Sequence, residues 1–287
     1  MRAGRRDVEI THPGKVLFPN DGITKADLAA YYRDAAGPMV PLVRDRPVSL
    51  QRFNAGIGRE GFFQKNVAKG VPSWVKRVEV PKKGGSLWHV LANDAATLVW
   101  LANQNAITPH VWLSRADRPE RPDRMIFDLD PVADEDFAIV RRTARELGDV
   151  LRQAGVQPFA MTTGSKGIHV VVPLRRRYGF DRVREAAVAV AEQVIERRPR
   201  ELTMEFYKRK REGRLFLDVN RNGYAATAVP PYAVRARPGA PVATPLRWEE
   251  LSDRRLTATR WTVRTVLERD PDVWKDIGRA AGPLPKL

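Results

Sequence analysis

The chain has no cysteine and only four histidines in 287 residues. The first absence excludes disulfides, thiolate-bound zinc, iron–sulfur clusters and thiol catalysis. The second makes an imidazole metal cage a poor expectation. No apolar run reaches the roughly 18 residues that a membrane span needs, and the opening MRAGRRDVEITHPG lacks the apolar core of a secretory signal. Acidic residues are also in deficit: 34 against 50 Lys+Arg leaves a net charge of +16. So large an excess predicts a polyanionic partner, most simply nucleic acid. An apolar fraction of 43% suffices for packed cores and excludes a disordered basic tail. The expectation is a soluble, intracellular protein that associates with nucleic acid, with no membrane partner.

No repeat or low-complexity segment interrupts the chain. DVEIT at 7–11 reads as a short strand. Thr24 opens a helix in a capping-box-like pattern with Asp27, and that helix should stop near Gly37-Pro38. Val48, Leu50 and Arg52 alternate as in a strand, and a glycine-rich loop precedes Phe62-Phe63. Residues 77–80 and 87–91 read as strands around KKGGS, Asn93-Asp94 as a helix cap, and 107–114 as a strand. Beyond a Pro-rich connection at 115–123, MIFDLDP is a strand stopped by Pro131. Helical spacing then runs from Asp134 to Ala154, with Gly155 as the stop. FAMTTGSKGIHVVVPL gives strand, glycine loop, strand. Residues 181–198 form a second helix, 204–219 a hairpin, and 258–269 a last helix. This alternation suits an α/β or α+β core. It divides into an N-terminal α/β module over 1–115 and a module over 116–287 that form a single domain.

The sharpest chemical signal is Ile126-Phe127-Asp128-Leu129-Asp130-Pro131. In a strand, residues i and i+2 share a face, so Asp128 and Asp130 project together, about 6.5–7 Å apart at Cα. Two adjacent carboxylates demand positive charge. An arginine or lysine supplies it if these are salt-bridged strand residues; a hard divalent cation, which takes oxygen ligands, is the more specific answer. Asp218 is a lone acid in the apolar strand Leu215–Val219. If the two strands are neighbours, three carboxylates can share two metals, the arrangement suited to in-line nucleotidyl transfer.

Thr162-Thr163-Gly164-Ser165-Lys166-Gly167-Ile168-His169 lies between two strands. Its glycines allow backbone N–H groups, Gly167 among them, to approach an anion; Thr163 and Ser165 add hydroxyls and Lys166 a charge. A hairpin turn with an exposed lysine is the plainer alternative. The spacing is not that of a Walker A loop. His169 and His110 sit in strands, as structural residues or as phosphate or metal-shell contacts. Arg197–Arg214 holds eight basic residues against three acids, a local +5 that leads into Asp218. Lys25 stands at the first turn of the Thr24-capped helix, where anions bind, and Lys15 can converge on the same phosphate. Phe62 and Phe63 are either a buried pair or a base-stacking surface, the latter worth about 1–3 kcal/mol per base.

Taken in order, Thr-His-Pro-Gly-Lys, Ile-Thr-Lys-Ala-Asp-Leu, Phe-Phe-Gln-Lys-Asn, Phe-Asp-Leu-Asp-Pro, Thr-Gly-Ser-Lys-Gly-Ile-His and Phe-Leu-Asp resemble the polymerase domain of bacterial DNA ligase D, in the archaeo-eukaryotic primase superfamily. The later stretch from Val234 to Leu251 belongs to the same pattern, and the resemblance covers nearly the whole chain. It implies a primase-polymerase fold, with an RRM-like mixed catalytic sheet packed with the N-terminal module. It implies template-directed nucleotidyl transfer at gaps and double-strand-break ends, with two Mn²⁺ or Mg²⁺ ions, no zinc, and a ribonucleotide preference. Its partners would be DNA, NTP or dNTP, Ku and a DNA ligase, in the bacterial cytoplasm at the nucleoid. By motif position, Asp128, Asp130 and Asp218 are the metal carboxylates. Arg52, His110, Thr163, Ser165, Lys166, Gly167, His169 and Arg235 line the nucleotide site. Lys15 and Lys25 take a DNA 5′-phosphate, and Phe62 and Phe63 stack on the template.

Two positions depart from the family pattern. Thr163 stands where serine is usual, and Asn54 follows Arg52-Phe53 where many relatives carry proline. No Lys-x-Asp-Gly adenylation motif is present, so the chain carries no ligase. A de novo primase is the alternative within enzymes, and an inert DNA-end-binding scaffold the alternative outside them.

Overall fold

The computed structural model describes residues 1–67, 69–82, 84–132 and 137–286. The chain forms two compact units. The first comprises Met1–Pro119, Thr227–Ala243 and Trp261–Pro271; the second comprises Glu120–Ala226, Thr244–Arg260 and Asp272–Leu287. The N-terminal unit therefore extends past 115 and takes back two later stretches.

In the first unit, α1 (Lys25–Asp34) starts where its capping residues dictate. Thr24 Oγ1 accepts from the Asp27 amide at 3.2 Å, and the Asp27 carboxylate accepts from the Thr24 amide at 2.8 Å. Such a cap is worth about 1 kcal/mol. Contrary to the expected stop at Gly37-Pro38, a second helix follows at once, α2 (Ala36–Val43). Pro38 falls in its first turn, where a missing N–H costs nothing, and Met39, Val40, Leu42 and Val43 are buried. The strands are β1 (Pro47–Arg52), β2 (Phe62–Gln64), β3 (Arg77–Lys82), β4 (Gly85–Leu91) and, after helix α3 (Ala95–Asn103), β5 (Ala106–Trp112). The sheet order is the short strand Thr227–Ala228, then β5, β1, β4 and β3, with β2 also paired to β1. Every pairing is antiparallel. Lys83, between β3 and β4 in sequence, lies outside the described residues. The strand expected at 7–11 shrinks to Arg6–Asp7, paired with Arg2–Ala3.

The second unit runs β6 (Arg124–Asp130), α4 (Phe137–Gln153), β7 (Phe159–Thr162), β8 (Ile168–Pro173), α5 (Phe180–Arg197), β9 (Leu202–Thr203), β10 (Leu215–Asp218) and β11 (Thr244–Leu246). The order β9-β10-β6-β8-β7-β11 makes a six-stranded mixed sheet, parallel only between β9 and β10. Its β-α-β-β-α-β core is the RRM-like arrangement. Helices α4 and α5 pack on β6. The start expected for α4 at Asp134 lies outside the described residues. Gly155 ends the helix with φ +79°, a conformation glycine adopts without strain. Along β6, Phe127 and Leu129 are fully buried whereas Asp128 and Asp130 are partly exposed, as the strand period requires.

Two expected elements are absent. Residues 204–219 do not form a hairpin, because β9 pairs parallel to β10, Leu202 opposite Leu215. Between them the loop winds on arginine side chains. Arg211 donates to the carbonyls of Glu205 (3.0 Å) and Phe206 (2.9 Å), and Arg214 to that of Arg211 (3.0 Å). The stretch 258–269 has no α-helix, only a 3₁₀ turn at Val266–Glu268. Thr265 Oγ1 takes the Thr262 amide and Thr262 Oγ1 takes the Arg264 amide, so hydroxyls satisfy donors that a helix would need.

Candidate active site

Sheet register assembles the acidic cluster in the second unit. Asp128, at the centre, is directly opposite Asp218 on β10 and His169 on β8. All three therefore project from one face, and Asp130 joins them two residues on. His169 Nε2 lies 3.5 Å from Asp128 Oδ2, and its ring is buried. Asp218 Oδ1 is held by the amide (2.7 Å) and side chain (2.8 Å) of Asn220.

Two arginines that the sequence reading did not single out balance this charge. Arg221 Nε lies 3.5 Å from Asp128 Oδ2 and 4.0 Å from Asp218 Oδ2. Arg211 lies 3.7 Å from Asp130 and stacks 3.8 Å over the Phe216 ring. Arg221 was findable, three residues past the lone Asp218; Arg211 was hidden in a basic run. Burial, then the neighbouring Asp128, hold the Asp130 carboxyl above its ordinary pKa, against the pull of Arg211, Lys166 and Lys208.

Among the described residues, no three acidic or imidazole groups stand as a ready-made cation cage. The donor set nevertheless fits a hard divalent ion: carboxylate oxygens gathered on one face, one of them disfavoured as an anion, with guanidinium groups currently supplying the positive charge.

The glycine loop borders this cluster. Thr163 Oγ1 accepts from the amides of Ser165 (3.3 Å) and Gly167 (3.2 Å), and the Thr163 amide donates to Gly167 O at 2.9 Å. The threonine that replaces serine thus keeps the hydroxyl that shapes the loop. A Cβ at Gly167 would fall 1.8 Å from the Leu129 carbonyl oxygen. Only glycine lets the loop approach β6 between the two aspartates' positions.

The remaining sequence-identified residues lie in the first unit. Lys25 is 3% exposed. Burial lowers its pKa, and the nearby charges of Lys15 and Arg52 lower it further. The Lys25 amide donates to Lys15 O at 2.8 Å, which ties the two lysines together. Arg52 therefore belongs with the lysines. Its guanidinium donates to Gln104 O (2.7 Å) and Gln64 Oε1 (2.7 Å), and lies 5.5 Å from the Phe62 ring centre. Phe62 and Phe63 are 46% and 52% exposed, so they are not a buried pair. Phe63 meets His110 edge to face at 5.2 Å. Arg235 follows Val234, whose carbonyl accepts from Thr108 Oγ1 at 2.6 Å.

Known proteins resemble nearly the whole chain. The family model described as "LigD, primase-polymerase domain" matches residues 24–275. The multifunctional non-homologous end joining protein LigD of Mycolicibacterium smegmatis is 33% identical over 256 residues, which cover 88% of this chain and 34% of the relative. The bifunctional non-homologous end joining protein LigD of Bacillus subtilis is 30% identical, over 91% of this chain and 42% of the relative. The chain thus spans less than half the length of these curated relatives. The structure of the polymerase domain from Mycobacterium tuberculosis ligase D in complex with DNA superposes with a TM-score of 0.89 at 31% identity, covering 96% of this chain and 99% of that one. The fold is that of a ligase D polymerase domain, and the chain belongs to the LigD primase-polymerase domain family.

Proposed function

We propose that the chain is a template-directed nucleotidyltransferase that fills gaps and extends ends at DNA breaks in non-homologous end joining. The observation that carries this reading is the register that puts Asp218 and His169 on either side of Asp128, with Asp130 on the same face. The relative solved with DNA supports a DNA partner. NTP or dNTP is the second substrate, with ribonucleotides preferred, and Ku and a DNA ligase are the partners, in the cytoplasm at the nucleoid. Among the described residues, no helix is long and apolar enough to cross a membrane.

In this reading Asp128, Asp130 and Asp218 hold two Mn²⁺ or Mg²⁺ ions, which when bound supply Lewis acidity to the reacting phosphate. The primer 3′-oxygen attacks the α-phosphorus, the bond to the β-phosphate oxygen breaks, and pyrophosphate leaves. Lys166 and the Thr163 and Ser165 hydroxyls hold the triphosphate, on a loop that the Ser165 and Gly167 amides shape by donating to Thr163 Oγ1 and that Gly167 keeps close to β6; His169, His110 and Arg235 orient it. Arg52, as a nucleotide contact, is the assignment that its place beside Lys25 supports least. Lys15 and Lys25 hold a 5′-phosphate across a gap: a buried lysine beside two further cations gains most from an anion. Phe62 and Phe63 stack on template bases.

The test is nucleotide addition to a gapped duplex with Mn²⁺, together with DNA binding, for wild type and Asp128→Ala/Asp130→Ala. The pair of substitutions should abolish addition and spare binding. Addition that survives the pair sinks the metal-site reading, and a wild type that binds ends without incorporating is a scaffold.

A further inference from the structure

A cavity of about 740 Å³ opens in the second unit, lined by Arg141, Arg142, Arg145, Arg200 and Arg254. Its two acids are already matched. Glu201 is paired with Arg142 and, at 3.0 Å, with Arg198; Glu212 lies 3.5 Å from Arg214. Arg141 and Arg145 are steadied by Asp253 O (2.9 Å) and Ser252 Oγ (3.4 Å). Arg200 and Arg254 have no hydrogen-bond or ion-pair partner among the described residues, and both are exposed.

The walls are fixed. The 3₁₀ turn Trp248–Ser252 is pinned to α4 by Trp248, whose ring fills the space that a Cβ at Gly148 would need, at 1.9 Å. Arg152 lies 4.4 Å over the same ring. The lining also includes Glu212 and Gly213, the next residues after Arg211, which reaches Asp130 at 3.7 Å. One loop therefore borders both the carboxylate cluster and the arginine cavity. The cationic lining is all arginine, whose planar fork suits phosphate oxygens bidentately.

We propose that this cavity is a second nucleic-acid contact, which takes backbone phosphates of the strand engaged at the carboxylates after it passes the loop 204–214. The inference rests on the proposed function for the presence of that strand. An acidic peptide of a partner protein is the competing occupant.

The test is the salt dependence of binding to DNA, read by fluorescence anisotropy, for the full chain and for Arg200→Ala/Arg254→Ala. Two DNAs are compared: a gapped duplex with long flanks, and one trimmed to the gap and its nearest base pairs. Loss of two phosphate contacts should reduce the slope of log K against log salt by about 1.8 on the long DNA. The trimmed DNA should give matching slopes. Arg200→Lys/Arg254→Lys should retain the slope on long DNA. Equal slopes for wild type and the Ala pair on long DNA overturn the proposal and leave the cavity to another ligand. If the Ala pair does not fold, Arg254→Gln alone should reduce the slope by about 0.9. A wild type that binds DNA without adding nucleotides refutes the polymerase reading and leaves the slope comparison intact.

Discussion

Asp128 and Asp218 face each other directly across two antiparallel strands, with Arg221 Nε 3.5 Å from one carboxylate and 4.0 Å from the other. Like charges directly opposed destabilise a sheet, so the fold carries this pair at a cost. Asp218→Asn should leave the melting temperature unchanged or raise it. It should also cut Mn²⁺-dependent nucleotide addition by about 10³-fold, the effect of losing several kcal/mol of charge stabilisation. Thermal melting and primer extension on one preparation check both halves; lower stability with activity retained contradicts both.

Lys25 gives a pH signature. Its pKa is lowered on folding, chiefly by burial. A folded pKa below the unfolded one means that the charged amine costs stability at neutral pH. This cost fades as pH rises through the lowered pKa toward the ordinary lysine value of 10.5. Without DNA, Lys25→Met should therefore be more stable than wild type near pH 7, and the gap should narrow in alkali. Urea unfolding at several pH values measures it.

The same substitution should remove the advantage of a 5′-phosphate. Wild type should bind a 5′-phosphorylated gap more tightly than a 5′-hydroxyl gap, and Lys25→Met should bind both alike. Equal weakening on the two DNAs would mean that Lys25 acts elsewhere.

Phe62 and Phe63 are about half exposed, so removing them costs the fold little. Phe62→Ala/Phe63→Ala should weaken binding to DNA with an unpaired template by about 1–3 kcal/mol per stacked base, with an unaltered melting temperature. A large fall in melting temperature would show that the rings support the sheet.

Gly167→Ala tests the loop. Its methyl would meet the Leu129 carbonyl at 1.8 Å, so the loop must shift away from β6. Nucleotide KM should rise, with stability lowered by roughly 1–3 kcal/mol as for overpacking. Unchanged KM would separate the loop from triphosphate binding.

The parts legible in the sequence were those set by local period and chemistry. The Thr24–Asp27 cap, the two faces of β6 and the glycine loop each follow from residues a few positions apart. The opposition of Asp218 to Asp128 needed only that two strands be neighbours. What stayed hidden depends on distant parts of the chain. Nothing local in 227–243 or 261–271 signals a return to the first unit. The basic run at 204–214 reads as a turn until Arg211 is seen to spend its donors on the loop's own carbonyls. The threonines near 262 compete with the helix that the apolar spacing suggested.

The register of β10 against β6 has a consequence for how this sequence can change. Strand faces alternate every residue, so a slip by one position would turn Asp218 toward the helices and present Leu217 to the carboxylate-bearing face. Point substitutions at Leu215, Phe216 or Leu217 leave Asp218 opposite Asp128. Loss or gain of a single residue there removes a carboxylate from the cluster and buries a charge in the core in one event. An insertion or deletion in the loop before Leu215 leaves the pairing of Asp218 with Asp128 in place, whereas one inside the strand does not.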